Sequence, residues 1–427
     1  MAIYWLSRHR PPRWTIAPIA VGVVLFAIES ARQSWPGGEA FFDFFTAYYP
    51  AGVAAFHHDP AALTAVTSRG VAGFVNMPIV AYLFAPFVMF GPAGAVALFT
   101  ALGVGLTVAA WGLLAKLAQL ETRERLILAW LFLANGPLLN AILLGNTSHI
   151  VLFALIAGLV LMRAGRSGAA GALLGLTAIL KPPLLLFGVF FLLRRDARGV
   201  AGFAASCGAV VLASLAVFGW ADNVHWFEAC ILPFSHDWVA AINVQSIDAF
   251  AARLSFGTDV LGKWEAYPPT PGERLLAEVM TATVFLAAIF ACLKRPAGPS
   301  PEPEGQGGTR RDLQYMLVIC LALVASPLSW SHYYAWLLIP TAFFLRLQPS
   351  LPLVGRWLGW TAVALIMPPL SWLEPSNPLV AKFYVSVFVS HFLFGGLLWF
   401  GLLGWRLARS GGWLTRLKTP QGDLVGA

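Results

Sequence analysis

The sequence predicts an all-α polytopic membrane protein. Hydrophobic residues make up 58% of the 427 residues and charged residues only 11%, whereas roughly a quarter of a soluble domain is charged. Apolar runs recur from Thr15 to near Arg406, and about 20 such residues in a helix span the hydrocarbon core of a bilayer. Lipid offers no partner to backbone polar groups, so spans of this kind are expected to be helical.

Twelve apolar runs that end in polar or basic residues are interpreted as membrane crossings. They lie at 15–34, 93–115, 126–144, 149–162, 168–180, 183–193, 199–219, 276–293, 312–325, 333–346, 357–372 and 383–405. The first run is long and lacks a small-residue cleavage site, so it is expected to be a retained helix rather than a signal peptide. The run at 78–90 is interpreted as re-entrant or interfacial.

The distribution of basic residues orients this arrangement. Of the 28 Lys and Arg residues, 21 fall on one side of the predicted membrane and 7 on the other, and the basic side is normally cytoplasmic. Both termini are therefore expected in the cytoplasm. Two large loops, 35–77 and 220–275, are expected outside, and the Pro- and Gly-rich segment 295–311 reads as a cytoplasmic flexible linker. No boundary divides residues 1–427 into separate domains.

Composition also excludes some classes of function. The net charge is +8, but the basic residues do not form a stripe interleaved with aromatic residues, so nucleic acid is not an expected partner. The four cysteines form no CxxC pair and the histidines show no metal-ligand spacing. The sequence therefore predicts neither a metal site nor a disulfide.

Asp43 is the first candidate for chemistry. It lies in the run GEAFFDFFTAYYPAG, directly after the first predicted crossing. A carboxylate among aromatic side chains at a membrane interface is a plausible proton acceptor. The alternative is an ordinary acidic residue on an interfacial aromatic belt.

Two cationic candidates follow. Lys181 begins the sequence KPP, which interrupts an apolar stretch, and a cation at a helix break of this kind is suited to holding a phosphate. His332, in SPLSWSHYYAW, can donate to a phosphate oxygen or carry a proton. The alternatives are a lysine that snorkels at a helix turn and a histidine that merely lies at the interface.

A convergence of polar residues favours a site on the outer face. Asn146 and His149 occupy the short connection LGNTSH, where Asn146 and Ser148 can equally well be helix caps. The predicted topology nevertheless places six polar residues from five loops on one side of the membrane: Asp43, Asn146, His149, Lys181, His332 and Glu374.

The same segments resemble a known family. FFDFFTAYYPAG, MPIVAYLFAPF, GRSGAAGALLGLTAILKPPLLLF and SPLSWSHYYAWLL occur in the order and rough spacing of the polyprenol-phosphate-dependent glycosyltransferases of family 87, over about residues 40–345. Two features depart from the family pattern: Asn76-Met77-Pro78 stands where a Tyr-Pro-Pro run is usual, and Gly145-Asn146 where Gly-Gln is usual. These departures concern sugar and acceptor specificity.

The resemblance implies a GT-C architecture in the bacterial inner membrane, with the active site outside. It implies transfer of a hexose such as mannose from a polyprenyl phosphate to a lipid or glycan acceptor by inverting displacement. Asp43 would be the catalytic base, and Lys181 and His332 would bind the donor phosphate. Tyr48, Tyr49, Asn146 and His149 would contact substrate, and no metal or other cofactor is expected.

Two other classes of function compete with this interpretation. A transporter or flippase of lipid-linked sugars would be expected to carry charged residues deep within several helices and often internal symmetry. Here the polar residues gather in outer loops instead. A purely structural membrane subunit is the third alternative, against which Asp43 and Lys181 argue.

Overall fold

The computed structural model describes residues 40–293, 308–370 and 375–409. The predicted crossing at 15–34 and Glu374 lie outside these ranges, as does most of the segment 295–311. The last residues of that segment are helical, because a helix begins at Gly308.

Helices account for nearly all regular structure in the described ranges. The α-helices there are α1 Tyr49–Phe56, α2 Pro60–Thr67, α3 Ala85–Val88, α4 Gly91–Leu117, α5 Thr122–Leu133, α6 Gly136–Leu143, α7 Ser148–Arg163, α8 Ser167–Leu180, α9 Leu186–Leu193, α10 Ala197–Cys230, α11 Ile247–Arg253, α12 Pro271–Leu293, α13 Gly308–Val324, α14 Leu338–Leu347, α15 Leu353–Ile366, α16 Pro378–Ser386 and α17 His391–Arg409.

Shorter helical turns and two isolated bridges complete the described structure. A π-helix spans Phe44–Tyr48, and 3₁₀ helices span Gly70–Ala72, Pro78–Leu83, Pro182–Leu185, Leu232–Ser235, Thr258–Val260, Ser331–Leu337, Gln348–Ser350 and Phe388–Ser390. The bridges join Trp238 to Tyr267 and Val244 to Trp330. The predicted all-α class is confirmed.

Four helical segments of the described chain are long and apolar enough to cross a membrane: α4, α10, α12 and the segment Pro378–Ala408. The bent pair α5 and α6 makes a fifth if it is counted as one span. The chain is therefore a multi-pass membrane protein. Helices α7, α8 and α15 are apolar but shorter, so the count of twelve crossings stays a prediction.

The run predicted as one crossing at 126–144 is broken. Helices α5 and α6 meet at an angle of 50°. The Asn135 side chain accepts a hydrogen bond from the backbone N–H of Leu138 at 2.9 Å, so it caps α6 as a new helix. Pro137 follows in the first turn, where a missing N–H costs nothing.

Small residues bring α8 and α10 together. A Cβ atom on Gly171 would lie 2.1 Å from the carbonyl oxygen of Gly199, and one on Gly202 would lie 2.0 Å from that of Gly168. Neither position tolerates a side chain without moving the helices apart. Close contact through glycines is the usual way in which membrane helices gain packing energy, and here it fixes the helix that ends at Lys181.

Candidate functional site

Asp43 is held against the far end of α6. The backbone N–H of Phe41 donates to the carbonyl of Leu143 at 2.6 Å, and that of Phe44 donates to Leu144 at 3.2 Å. Gly145 permits this close approach, because it has φ +67° and a Cβ there would lie 2.6 Å from the Cβ of Phe44. The first predicted outer loop is thus docked, by backbone hydrogen bonds, on a turn about 100 residues later in the chain.

Asn146 links the carboxylate to the buried cation. Its Nδ2 donates to Oδ2 of Asp43 at 2.6 Å, and its Oδ1 accepts from Nζ of Lys181 at 3.1 Å. The same Oδ1 accepts from the backbone N–H and the hydroxyl of Ser148 at 3.0 and 2.9 Å. Asn146 therefore satisfies the first backbone N–H of α7 and also joins Asp43 to Lys181.

Lys181 is 4% exposed. It leaves α8 in an extended conformation and is followed by the 3₁₀ turn that its two prolines begin. Its Nζ lies 4.7 Å from the centroid of the Tyr333 ring, within the range of a cation–π interaction. Burial lowers the pKa of Lys181 to about 7, against an opposing effect of the nearby Asp43 carboxylate.

His332 is 3% exposed and belongs to the 3₁₀ turn Ser331–Leu337. Its ring is parallel to that of Trp330, with centroids 6.4 Å apart, and meets the edge of Tyr333 at 5.0 Å. Neither ring nitrogen has a hydrogen-bond partner among the described residues. Burial lowers the pKa of His332, and the charges of Lys181 and His149 lower it further.

His149 is 1% exposed at the start of α7. Helix α4 makes room for it, since a Cβ on Gly103 would lie 2.0 Å from Nε2 of His149. In the part of the chain that is described, both of its ring nitrogens also lack partners. Buried polar atoms are nearly always satisfied in folded proteins, so two such histidines beside Lys181 are typical of a site that binds a polar ligand.

The two candidate tyrosines lie in an aromatic cluster. Tyr48 is 5% exposed and stacks on Phe84 with ring centroids 4.7 Å apart. Its pKa is raised by burial and by Asp43, so the phenol is close to the carboxylate. Tyr49 is half-buried and contacts Phe44 at 5.9 Å. Their contact with substrate stays a prediction.

A segment with no sequence signal holds the turn that carries His332. Residues 240–246, which we call the strap, run beside residues 327–331. The backbone N–H of Ser331 donates to the carbonyl of Asn243 at 2.7 Å, and that of Gln245 donates to Ser329 at 2.6 Å. Arg253 is fully buried and donates to three strap carbonyls, those of Ala240, Ala241 and Val244.

The arrangement suits proton transfer next to an anion. Asp43, Asn146 and Lys181 form one continuous hydrogen-bonded chain, and His149 and His332 lie near its cationic end. A carboxylate can take a proton, and buried cations and histidines can stabilise a phosphate. Among the described residues, no group of three or more His, Cys, Asp or Glu is arranged as a metal site.

Comparisons with known proteins identify a family. The sequence model of glycosyltransferase family 87 matches residues 74–327. This range includes Asn146, His149 and Lys181, whereas Asp43 and His332 lie outside it.

Three curated relatives carry related names. A polyprenol-phosphate-mannose-dependent alpha-(1-2)-phosphatidylinositol mannoside mannosyltransferase of Mycobacterium tuberculosis is 28% identical over 307 residues, which are 67% of this chain and 62% of the relative. A protein of the same name from Mycolicibacterium smegmatis is 30% identical over 172 residues, 39% of this chain and 35% of the relative. The polyprenol-phosphate-mannose-dependent alpha-(1-2)-phosphatidylinositol pentamannoside mannosyltransferase of M. smegmatis is 28% identical over 307 residues, which are 70% of this chain and 68% of the relative. The match spans less than two thirds of the length of the first two relatives.

Proposed function

The chain belongs to glycosyltransferase family 87, and we propose that it transfers a hexose from a polyprenyl phosphate to an extracytoplasmic lipid or glycan acceptor. Mannose is the sugar that the names of the relatives indicate, and a phosphatidylinositol mannoside is the corresponding acceptor. The observation that carries the proposal is the hydrogen-bonded chain from Asp43 through Asn146 to Lys181. It joins a half-buried carboxylate to a buried cation through one asparagine side chain.

Asp43 is proposed as the general base. The acceptor hydroxyl oxygen attacks C1 of the donor sugar, and its proton passes to the Asp43 carboxylate. The bond from C1 to the phosphate oxygen breaks, and polyprenyl phosphate leaves with the electron pair. A single displacement of this kind inverts the configuration at C1. The hydrogen bond from Asn146 to Oδ2 orients the carboxylate.

Lys181 and His332 are proposed to bind the departing phosphate. Both are buried, and electrostatic interactions are stronger away from water. Since neither ring nitrogen of His332 is engaged within the described structure, one can donate to a phosphate oxygen. These fixed groups would balance the charge that a divalent ion balances in enzymes acting on nucleotide diphosphates, so the proposed scheme needs no metal.

The remaining candidates receive distinct roles. Asn146 orients the base, and His149, with unengaged ring nitrogens, is proposed to donate to a sugar hydroxyl. Tyr49 is half-buried and is proposed to line the substrate path. Tyr48 stacks on Phe84, and the Asp43 carboxylate raises its pKa, so we propose that it supports the base.

We also propose the predicted topology of twelve crossings, with both termini in the cytoplasm and the site outside. The 21-to-7 division of basic residues supports it. The contacts support it as well, because residues of three predicted outer connections join in one hydrogen-bonded chain.

Transfer of labelled mannose tests the function. Purified protein is given synthetic polyprenyl-phosphate [³H]mannose and a membrane lipid extract, and labelled lipid is counted. Asp43→Asn should lower kcat by about 10²–10⁴-fold, the usual contribution of a general base, with donor binding retained. Asp59→Asn is the matched control, because Asp59 is an exposed helix cap in the same loop.

Normal turnover by Asp43→Asn would remove Asp43 from the mechanism. If wild-type protein transfers no label from any polyprenyl-phosphate sugar, the glycosyltransferase assignment fails, and the transporter alternative gains support.

A further inference from the structure

An exposed tryptophan is fixed beside the candidate site. Trp264, in the second predicted outer loop, is 40% exposed. Its indole Nε1 donates to the side-chain oxygen of Asn243 at 2.9 Å. The ring thus presents apolar surface to the outside while its only polar group is satisfied within the protein.

Asn243 connects this ring to the turn that carries His332. Its carbonyl accepts from the backbone N–H of Ser331 at 2.7 Å, and Ser331 directly precedes His332. The strap residue Val244 also bridges to Trp330. Two hydrogen bonds therefore separate Trp264 from the turn that carries the proposed phosphate ligand.

Polar groups lie beside Trp264 in the chain. Nζ of Lys263 lies 3.3 Å from Oδ2 of Asp259, and these side chains are 58% and 67% exposed. Exposed ion pairs are weak, so both groups can exchange this contact for hydrogen bonds to a ligand. A flat apolar ring with nearby donors and acceptors suits a saccharide, which offers C–H faces and hydroxyl groups.

We propose that Trp264 forms a subsite that stacks on the glycan of the acceptor. This inference rests on the proposed function. Lys181 and His332 are 4% and 3% exposed, so the reacting phosphate would lie inside the protein. Trp264 is at the surface, where it can reach the part of an acceptor that remains outside the reaction centre. The donor sugar is held within and is not its ligand.

Steady-state kinetics test the subsite. Wild type, Trp264→Ala and Trp264→Phe are assayed in detergent micelles with polyprenyl-phosphate mannose and phosphatidylinositol dimannoside, and the KM of each substrate is measured separately. Trp264→Ala should raise the acceptor KM about 5–10-fold, as expected for loss of one aromatic stacking contact. The donor KM and kcat should not change, and Trp264→Phe should stay near wild type. Trp357→Ala is the control, because Trp357 is 67% exposed on α15.

Each other outcome overturns a defined part of the argument. An unchanged acceptor KM in Trp264→Ala, with wild type active, removes the subsite and leaves the proposed function standing. A raised donor KM instead places the ring against the donor. A defect in lipid vesicles that disappears in micelles makes Trp264 a membrane anchor. A wild type that transfers no mannose to this acceptor overturns the proposed acceptor class and the subsite together.

Discussion

The substitution Asn146→Asp tests the hydrogen-bonded chain most directly. It replaces the amide group that donates to Asp43 at 2.6 Å with a second carboxylate oxygen. The other oxygen of the side chain can still accept the hydrogen bonds from Ser148 and Lys181, and the side chain keeps its size. The main change is therefore one negative charge beside the proposed base.

The size of the effect follows from Coulomb's law. Two unit charges 4 Å apart interact by about 4 kcal/mol at an effective dielectric constant of 20, which corresponds to roughly 3 pKa units. Lys181, which donates to the retained oxygen of residue 146, offsets part of this repulsion. The two carboxylates should share a proton and titrate as a pair. We expect the acid limb of the pH–kcat profile to move to higher pH by up to about 3 units, so kcat should be lost on the acid side and recover as the pH rises.

The measurement is the pH dependence of kcat for mannose transfer from pH 5 to 9. Asn140→Asp is the matched control, since Asn140 is a half-buried asparagine whose side chain donates to Ser331 at 3.3 Å. If the acid limb of the pH–kcat profile stays at the wild-type pH, or if kcat falls by the same factor at every pH, Asn146 does not act through the protonation of Asp43.

Two further predictions concern the cationic end of the site. Burial lowers the pKa of Lys181 to about 7, so the side chain is charged below that pH and neutral above it. The value of kcat/KM for the donor should therefore fall as the pH rises through 7. Lys181→Arg should abolish this fall, because an arginine side chain stays charged. The same fall in both proteins would exclude Lys181 as its cause. Gly103→Ala would place a Cβ 2.0 Å from Nε2 of His149 and should cost about 1–3 kcal/mol of stability, seen as a lower midpoint of thermal unfolding in detergent. Gly105→Ala, on the same helix with nothing within 4 Å, should leave the midpoint unchanged, and equal effects would contradict the reasoning.

Hydropathy predicted the helices well because it reports how much of a segment is apolar. It did not predict where helices break, because a break depends on single side chains. The predicted crossing at 126–144 is bent where Asn135 caps a new helix. The crossing predicted to end at 219 continues as helix to Cys230 after a non-helical Gly219, with φ +71°.

The sequence pointed to the candidate residues but not to the contacts between them. Asp43, Lys181 and His332 were identifiable because charged or polar groups are costly near lipid. Asn146 suited a cap and a ligand contact equally well, and its contact with Asp43 joins residues 103 positions apart. The strap had no signal, because backbone hydrogen bonds such as that from Ser331 to Asn243 do not depend on which side chains are present.

The order of the site residues along the chain has a consequence for biosynthesis. Asp43, Asn146 and Lys181 can all join once residue 181 has been synthesised, whereas His332 follows 151 residues later. At about 5–20 residues per second, this delay is roughly 8–30 s. During that interval the carboxylate and the ammonium group already have Asn146 as a common partner, so neither charge need face lipid alone while the second half of the chain is being inserted.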